Sequence, residues 1–208
     1  MEEKEIHDEL TSIRSLMERS SKFISLSGLS GILAGIYALI GAGYVYYRLE
    51  PLWPYFINRD PSQGLIVGGL ILQLVIIAIA VLVASILTCV LLSIRKAKRK
   101  GQPIWGNTSK QLLFNMSIPL VAGGLLILIL IFQEYYSLIA PAFLIFYGLA
   151  LISASNFTFG VVKYLGILEI ILGLAAACLP GYGLLFWAIG FGVLHIIYGS
   201  IMYFKYDG

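Results

Sequence analysis

Six long apolar stretches, separated by short polar segments, dominate the chain. Their approximate spans are 23–47, 64–94, 111–133, 137–155, 161–179 and 184–204. Each holds about the 20 apolar residues that a helix needs to cross the hydrocarbon layer of a bilayer. The pattern predicts an all-α fold: a polytopic transmembrane bundle of six helices, occupying residues 23–208. The second stretch would be about 46 Å long as a helix, so it must tilt or project beyond the membrane. Pro141 falls near the start of the fourth stretch, where a helix tolerates proline.

Before the first stretch the pattern changes. Ile6, Leu10, Ile13 and Met17 recur at steps of four, three and four, which places them on one helix face. Glu2, Glu3, Glu5, Asp8 and Glu9 crowd the start of this segment, and Arg14, Arg19 and Lys22 lie toward its end. Both placements suit the helix dipole. Residues 1–22 are therefore expected to form a short cytosolic amphipathic helix. It would rest on the membrane surface or on the protein's own loops, or it would bind a cytosolic partner or a second copy. The segment lacks the basic start and apolar core of a cleavable signal.

Charge sets the orientation. Only 12% of residues are charged and 59% are hydrophobic, whereas soluble domains carry about 25% charged residues. The mean hydropathy is +0.90. If six helices alternate, twelve of the 14 lysines and arginines fall on one side, and only Arg48 and Arg59 on the other. The positive-inside rule then places both termini in the cytoplasm. Tyr44, Tyr46, Tyr47, Trp53, Tyr55, Tyr135, Tyr136 and Tyr182 would form the outer aromatic belt. Trp105, Tyr203, Phe204 and Tyr206 would form the inner one.

The basic loop after the second stretch contains Arg95, Lys96, Lys98, Arg99 and Lys100. Beside a membrane each such charge attracts anionic lipid headgroups by about 1 kcal/mol. Its role as a topology determinant accounts for it fully. No nucleic-acid recognition motif accompanies it, so nucleic acid is not an expected partner. Cys89 and Cys178 fall near opposite membrane faces, too far apart for a disulfide, which needs alpha carbons within about 7 Å. No spacing suggests a metal, redox group or other cofactor.

Candidate chemistry is concentrated in the last hairpin. Its turn reads Leu179-Pro180-Gly181-Tyr182-Gly183, with Glu169 ten residues before it and His195 twelve after. At about 1.5 Å per residue both groups lie roughly 15–18 Å deep, in the middle of a core about 30 Å thick. Ionisable groups are costly there and are functional candidates by default. Gly166, Glu169, Gly173 and Ala176 share one helix face, and Ala188, Gly192, His195 and Gly199 share another. A tight antiparallel hairpin would press these two faces together. The pair then reads either as a proton relay or polar ligand contact, or as an interhelical hydrogen bond. Such bonds average only about 0.6 kcal/mol. One glutamate and one histidine do not make a metal site, which usually needs three or more protein ligands. Gln73, in the outer half of the second stretch, is a second-tier polar candidate that could reach toward the hairpin.

Small residues also line the first helix, where Ser27, Gly31 and Gly35 step by four beside Gly28. The second helix begins with Gly64 and Gly68. Such stripes serve an oligomer interface or packing within the chain, and six helices offer many internal seams. Two short echoes occur. Gly31-Ile32-Leu33 matches Gly166-Ile167-Leu168, and Tyr147-Gly148 matches Tyr198-Gly199. They mark three related hairpins or arise by chance, and a chain this rich in Gly, Ile and Leu favours chance.

The segments Tyr182-Gly183-Leu184-Leu185-Phe186-Trp187-Ala188, Phe191-Gly192-Val193-Leu194-His195-Ile196-Ile197-Tyr198-Gly199 and Ser25-Leu26-Ser27-Gly28-Leu29-Ser30-Gly31 carry a family resemblance. Together they resemble a group of small, uncharacterised six-helix bacterial inner-membrane proteins of the Bacteroidetes type. The resemblance implies a bacterial inner-membrane location and no catalytic residues. The expected role is non-enzymatic: structural, regulatory or partner-binding. The alternative is a small proton-coupled transporter or carrier using Glu169 and His195. No nucleophile–base set points to an enzyme.

Overall fold

The computed structural model describes residues 27–49, 64–99, 101 and 106–207. The amphipathic helix expected over 1–22 lies outside the described residues, as do Lys100, Trp53, Arg59 and Trp105. All regular structure among the described residues is helical. The elements are α1 (Gly28–Leu49), α2 (Gly64–Arg99), α3 (Asn107–Phe132), α4 (Ile139–Ser155) and α5 (Val161–Cys178). The last, α6, is a rod over Gly183–Tyr206. All six are long and apolar enough to cross a membrane.

Their surfaces fit that solvent. Ile76, Ile79, Leu82, Ile86 and Val90 on α2 are exposed, and none of the most apolar part of α2 is buried inside the molecule. In water such a face would drive aggregation; in hydrocarbon it is at home. The 36 residues of α2 exceed what a bilayer needs. The helix continues to a basic end at Arg95, Lys96, Lys98 and Arg99, where Ser93 and Ala97 become buried. This end defines the basic face of the molecule.

Glycine contacts set the packing. In α1 and α6, a Cβ at Gly28 would strike the backbone of Gly199 and Tyr203, and one at Gly35 would meet the Gly192 carbonyl oxygen at 2.6 Å. In α4 and α5, a Cβ at Gly166 would meet the Gly148 oxygen at 2.7 Å, and one at Gly173 would meet the Pro141 oxygen at 3.0 Å. Each helix thus lays its backbone directly on its partner at two points seven residues apart. Close backbone approach of this kind is what small residues contribute to association in lipid.

These contacts correct the expected hairpin. The small-residue faces of α5 and α6 do not meet each other: Gly166 and Gly173 press on α4, and Gly192 and Gly199 press on α1. The α1 stripe, Gly28, Gly31 and Gly35, is likewise consumed inside the chain. On α2, nothing among the described residues lies within 4 Å of where a Gly68 Cβ would stand.

The two antiparallel pairs are built alike. Gly28 and Gly35 of α1 correspond to Gly166 and Gly173 of α5, and Gly199 and Gly192 of α6 correspond to Gly148 and Pro141 of α4. In that register Ile32 matches Ile170, Ala38 matches Ala176, Ile145 matches Ile196, and Tyr147 matches Tyr198. The Tyr-Gly echo therefore marks equivalent positions. The Gly-Ile-Leu echo is out of register by three, because Gly166 corresponds to Gly28 rather than Gly31.

The outer helices attach one to each pair. α2 runs along α1, where the Tyr37 and Thr88 hydroxyls are 3.3 Å apart and Ser30 Oγ lies 3.7 Å from Cys89 Sγ. α3 attaches to α4, with Phe146 filling the space beside Gly123. Both cysteines are free.

Candidate functional site

Glu169 is carried by α5 and is completely buried, with no exposed surface. It stands one turn beyond Gly166 and one before Gly173, so the glycine contacts with α4 bracket it. His195 sits on α6 and is 8% exposed. Its ring Nδ1 is 3.5 Å from Glu169 Oε1.

The backbone around His195 is irregular. Residues Ala188–Leu194 form a π-helical stretch before α-helix resumes over His195–Met202. Widened turns of this kind are rare and recur at functional sites. Gly190 lies within the stretch, and its carbonyl oxygen is 3.0 Å from His195 Nδ1. A carbonyl only accepts, so Nδ1 carries the hydrogen and donates it. In the neutral ring Nε2 is then the acceptor, and the Tyr147 hydroxyl, 2.8 Å away, donates to it. The resulting chain of groups runs Tyr147, His195, Glu169 across α4, α6 and α5.

Gly190 has a second task. A Cβ there would stand 2.5 Å from both Glu169 Oε2 and Leu144 Cδ2. Its bare backbone is what admits the carboxyl group. Aromatic rings surround the imidazole. Phe191 stacks 5.9 Å from His195 and lies 4.9 Å from Tyr147, while Trp187 is 5.2 Å from Phe191.

Among the described residues, neither carboxyl oxygen of Glu169 has a hydrogen-bond partner. The N–H at His195 Nδ1, 3.5 Å from Oε1, is directed to the Gly190 carbonyl instead. Leaving a buried polar group unpaired costs about 1–3 kcal/mol, and more for a charged one. The arrangement offers two proton states. A carboxylic acid can stand beside a neutral imidazole, or a carboxylate beside an imidazolium. In the second, both ring nitrogens donate and the Tyr147 oxygen accepts.

Gln73 does not join this site. It is exposed on α2, where the neighbouring Leu74 packs against Val45 of α1. Arg95, Lys98 and Arg99 are exposed at the end of α2, whereas Lys96 is half-buried with Nζ 5.5 Å from the centre of the Phe159 ring. Among the described residues no cluster of three His, Cys, Asp or Glu groups is placed to hold a metal.

Tyr147 is the member that sequence reasoning missed. A tyrosine in mid-membrane must find a partner for its hydroxyl, and that requirement was the available signal. The repeat of the two pairs does not extend to the site. The position matching Glu169 is Gly31 on α1, and that matching His195 is Leu144 on α4. The polar constellation occurs once, between the pairs.

No protein-family model matches the chain, and no curated protein or solved structure matches it either.

Proposed function

We propose that the chain is a non-enzymatic, multi-pass membrane protein that takes up and releases a proton at Glu169, as a small proton-coupled carrier does. One observation carries this reading: a fully buried carboxyl group whose oxygens have no hydrogen-bond partner among the described residues. A purely structural role explains the Tyr147–His195 hydrogen bond, which ties α4 to α6. It does not explain Glu169, which adds a desolvation cost and no bond. A group that must accept and surrender a proton cannot be locked into a permanent hydrogen bond. His195 Nδ1, 3.5 Å from Oε1, is its exchange partner.

In this reading the basic face lies in the cytoplasm, because lysine and arginine crowd that side, and the resemblance to small bacterial membrane proteins implies a bacterial inner membrane. Residues 1–22 and the Arg95–Arg99 end of α2 are then the places for anionic lipid, a cytosolic partner or a second copy. The test is proton flux in liposomes after Glu169→Gln and His195→Ala. Both substitutions are expected to abolish it. Full flux in a folded Glu169→Gln protein would reject the proposal.

A further inference from the structure

Small polar groups line the seam between α1 and α2 toward the basic face. On α2, Cys89 and Ser93 stand one turn apart, and Ser93 lies one turn before the buried Ala97 at the basic end. Val90 and Leu91, between them in the chain, are exposed instead. On α1, Ser30 is buried near the start of the helix. Its Oγ lies 2.6 Å from the Ser27 carbonyl oxygen and 3.7 Å from Cys89 Sγ. A hydroxyl has one hydrogen, and Ser30 gives it to the carbonyl, so its oxygen can accept from the thiol. Ser93 departs from the habit of the other helix serines. Ser117, Ser153, Ser155 and Ser200 each donate to a backbone carbonyl three or four residues earlier. Ser93 is buried, yet among the described residues its Oγ has no hydrogen-bond partner. A buried hydroxyl left unpaired is costly, and it suits a place that water visits. Residues one turn apart have Cβ atoms about 5–6 Å apart, a gap that one water spans with two hydrogen bonds of about 2.8 Å.

The inner end of this seam reaches the buried site. The Cys89 thiol is within electrostatic reach of the Tyr147 hydroxyl. Gly31, the residue after Ser30, lies against α6: a Cβ there would stand 3.1 Å from Gly199 Cα and 3.5 Å from the His195 carbonyl oxygen. Tyr147 in turn is 2.8 Å from His195 Nε2. Groups able to pass a hydrogen bond along thus lead from Ser93, through Cys89 and Ser30, to the tyrosine.

We propose that the Ser93–Cys89–Ser30 seam is the path by which protons pass, with water, between the basic face and Tyr147, and from there through His195 to Glu169. This rests on the proton-exchange reading and supplies its route of access. A proton arriving at the Tyr147 oxygen releases that hydroxyl's own proton to His195 Nε2, and the proton on Nδ1 crosses to Glu169 Oε1, 3.5 Å away. Each bond to hydrogen that breaks is matched by one that forms. The carboxylate becomes an acid, and the neutral ring is left with its hydrogen on Nε2. Retracing the steps unloads the acid and restores the Nδ1 hydrogen to the Gly190 carbonyl.

The native thiol makes the path testable. In a Cys178→Ser background, proton flux into liposomes is followed with Cys89 replaced by valine, which keeps its bulk, or by serine, which keeps a donor. Cys89→Val is expected to cut flux about tenfold or more, the factor for one lost hydrogen bond. Cys89→Ser should restore most of it. Folded Cys89→Val protein with undiminished flux, or Cys89→Ser no better than Cys89→Val, would overturn the path. Access is read separately with silver ion, a small hydrophilic thiol reagent, applied to each face of the vesicles in turn. Silver on the basic face should block flux quickly, and on the opposite face at least tenfold more slowly. Cys89→Ser should remove this sensitivity, and Ser93→Val should slow the block about tenfold. Equal rates from both faces, or a rate indifferent to Ser93→Val, overturns the path as well. Glu169→Gln separates the two proposals. Glu169-dependent flux that Cys89→Val leaves intact sinks the path alone, whereas flux indifferent to Glu169→Gln sinks the proton reading and the path together.

Discussion

Glu169 Oε1 lies 3.5 Å from His195 Nδ1, yet the hydrogen on that nitrogen is given to the Gly190 carbonyl. The acid and the base are neighbours that do not bond. The π-helical stretch is responsible, because it places a backbone acceptor 3.0 Å from the ring. The carboxyl group is left available for exchange.

Replacing Glu169 with methionine should therefore separate stability from activity. The substitution removes an unpaired buried group and keeps most of its volume. The variant is expected to be as stable as the parent or about 1–3 kcal/mol more stable, while losing proton flux. Thermal unfolding in detergent, beside a liposome flux assay, checks both halves. A large loss of stability would show that the carboxyl group has a bonding role.

Tyr147→Phe should act in the opposite sense. It deletes the donor to His195 Nε2 and strands that nitrogen in a buried site. The expected cost is about 1–3 kcal/mol in unfolding. Nitrogen NMR of the imidazole should also report a changed Nε2 environment, with Nδ1 still protonated by virtue of the Gly190 carbonyl. An Nε2–H tautomer in the parent would contradict the assignment.

Glycine-to-alanine substitutions should divide by position. At Gly166 the new methyl would stand 2.7 Å from a backbone oxygen, where nothing can yield. At Gly124, in the interior of α3, nothing among the described residues lies within 4 Å. Gly166→Ala is expected to destabilise by about 1–3 kcal/mol through overpacking. Gly124→Ala is expected to stabilise by about 0.5–1 kcal/mol, the helix-propensity gain. Stabilisation at both sites would mean that the glycine contact between α4 and α5 is not tight.

Gly190→Ala tests the pocket for the carboxyl group. Its methyl would fall 2.5 Å from Glu169 Oε2 and from Leu144 Cδ2. Proton flux should fall at least as steeply as with Glu169→Gln, since the carboxyl group must leave its place. Retained flux would mean that the group works elsewhere.

Topology is open to a direct measurement. Reporters fused after Trp53 and after Gly101 should appear on opposite sides of the membrane, the second with the cytoplasm. Both on one side would overturn the orientation.

Much of the architecture was legible from periodicity and length alone. Six apolar stretches became six helices because hydrocarbon leaves a backbone no other way to satisfy its polar groups. The common level of Glu169 and His195 follows from counting ten and twelve residues away from one turn, since helical rise is constant. Local regularity of that kind needs no knowledge of neighbours.

Partner choice was not legible. The stripes on α5 and α6 showed that each helix makes close contacts but not with which helix, and the sequentially adjacent pairing proved wrong. Gly192 and Gly199 met α1, the helix most distant in the chain, because their backbone fits Gly28 and Gly35 there. Tyr147 entered the site only once α4 stood beside α6, and the π-helical stretch that turns His195 toward Gly190 has no periodic signature. Helix number, length and depth depend on each segment's own exchange with lipid, so the chain alone determined them. The polar constellation depends on which backbones can touch, and only three-dimensional packing among non-consecutive helices decides that.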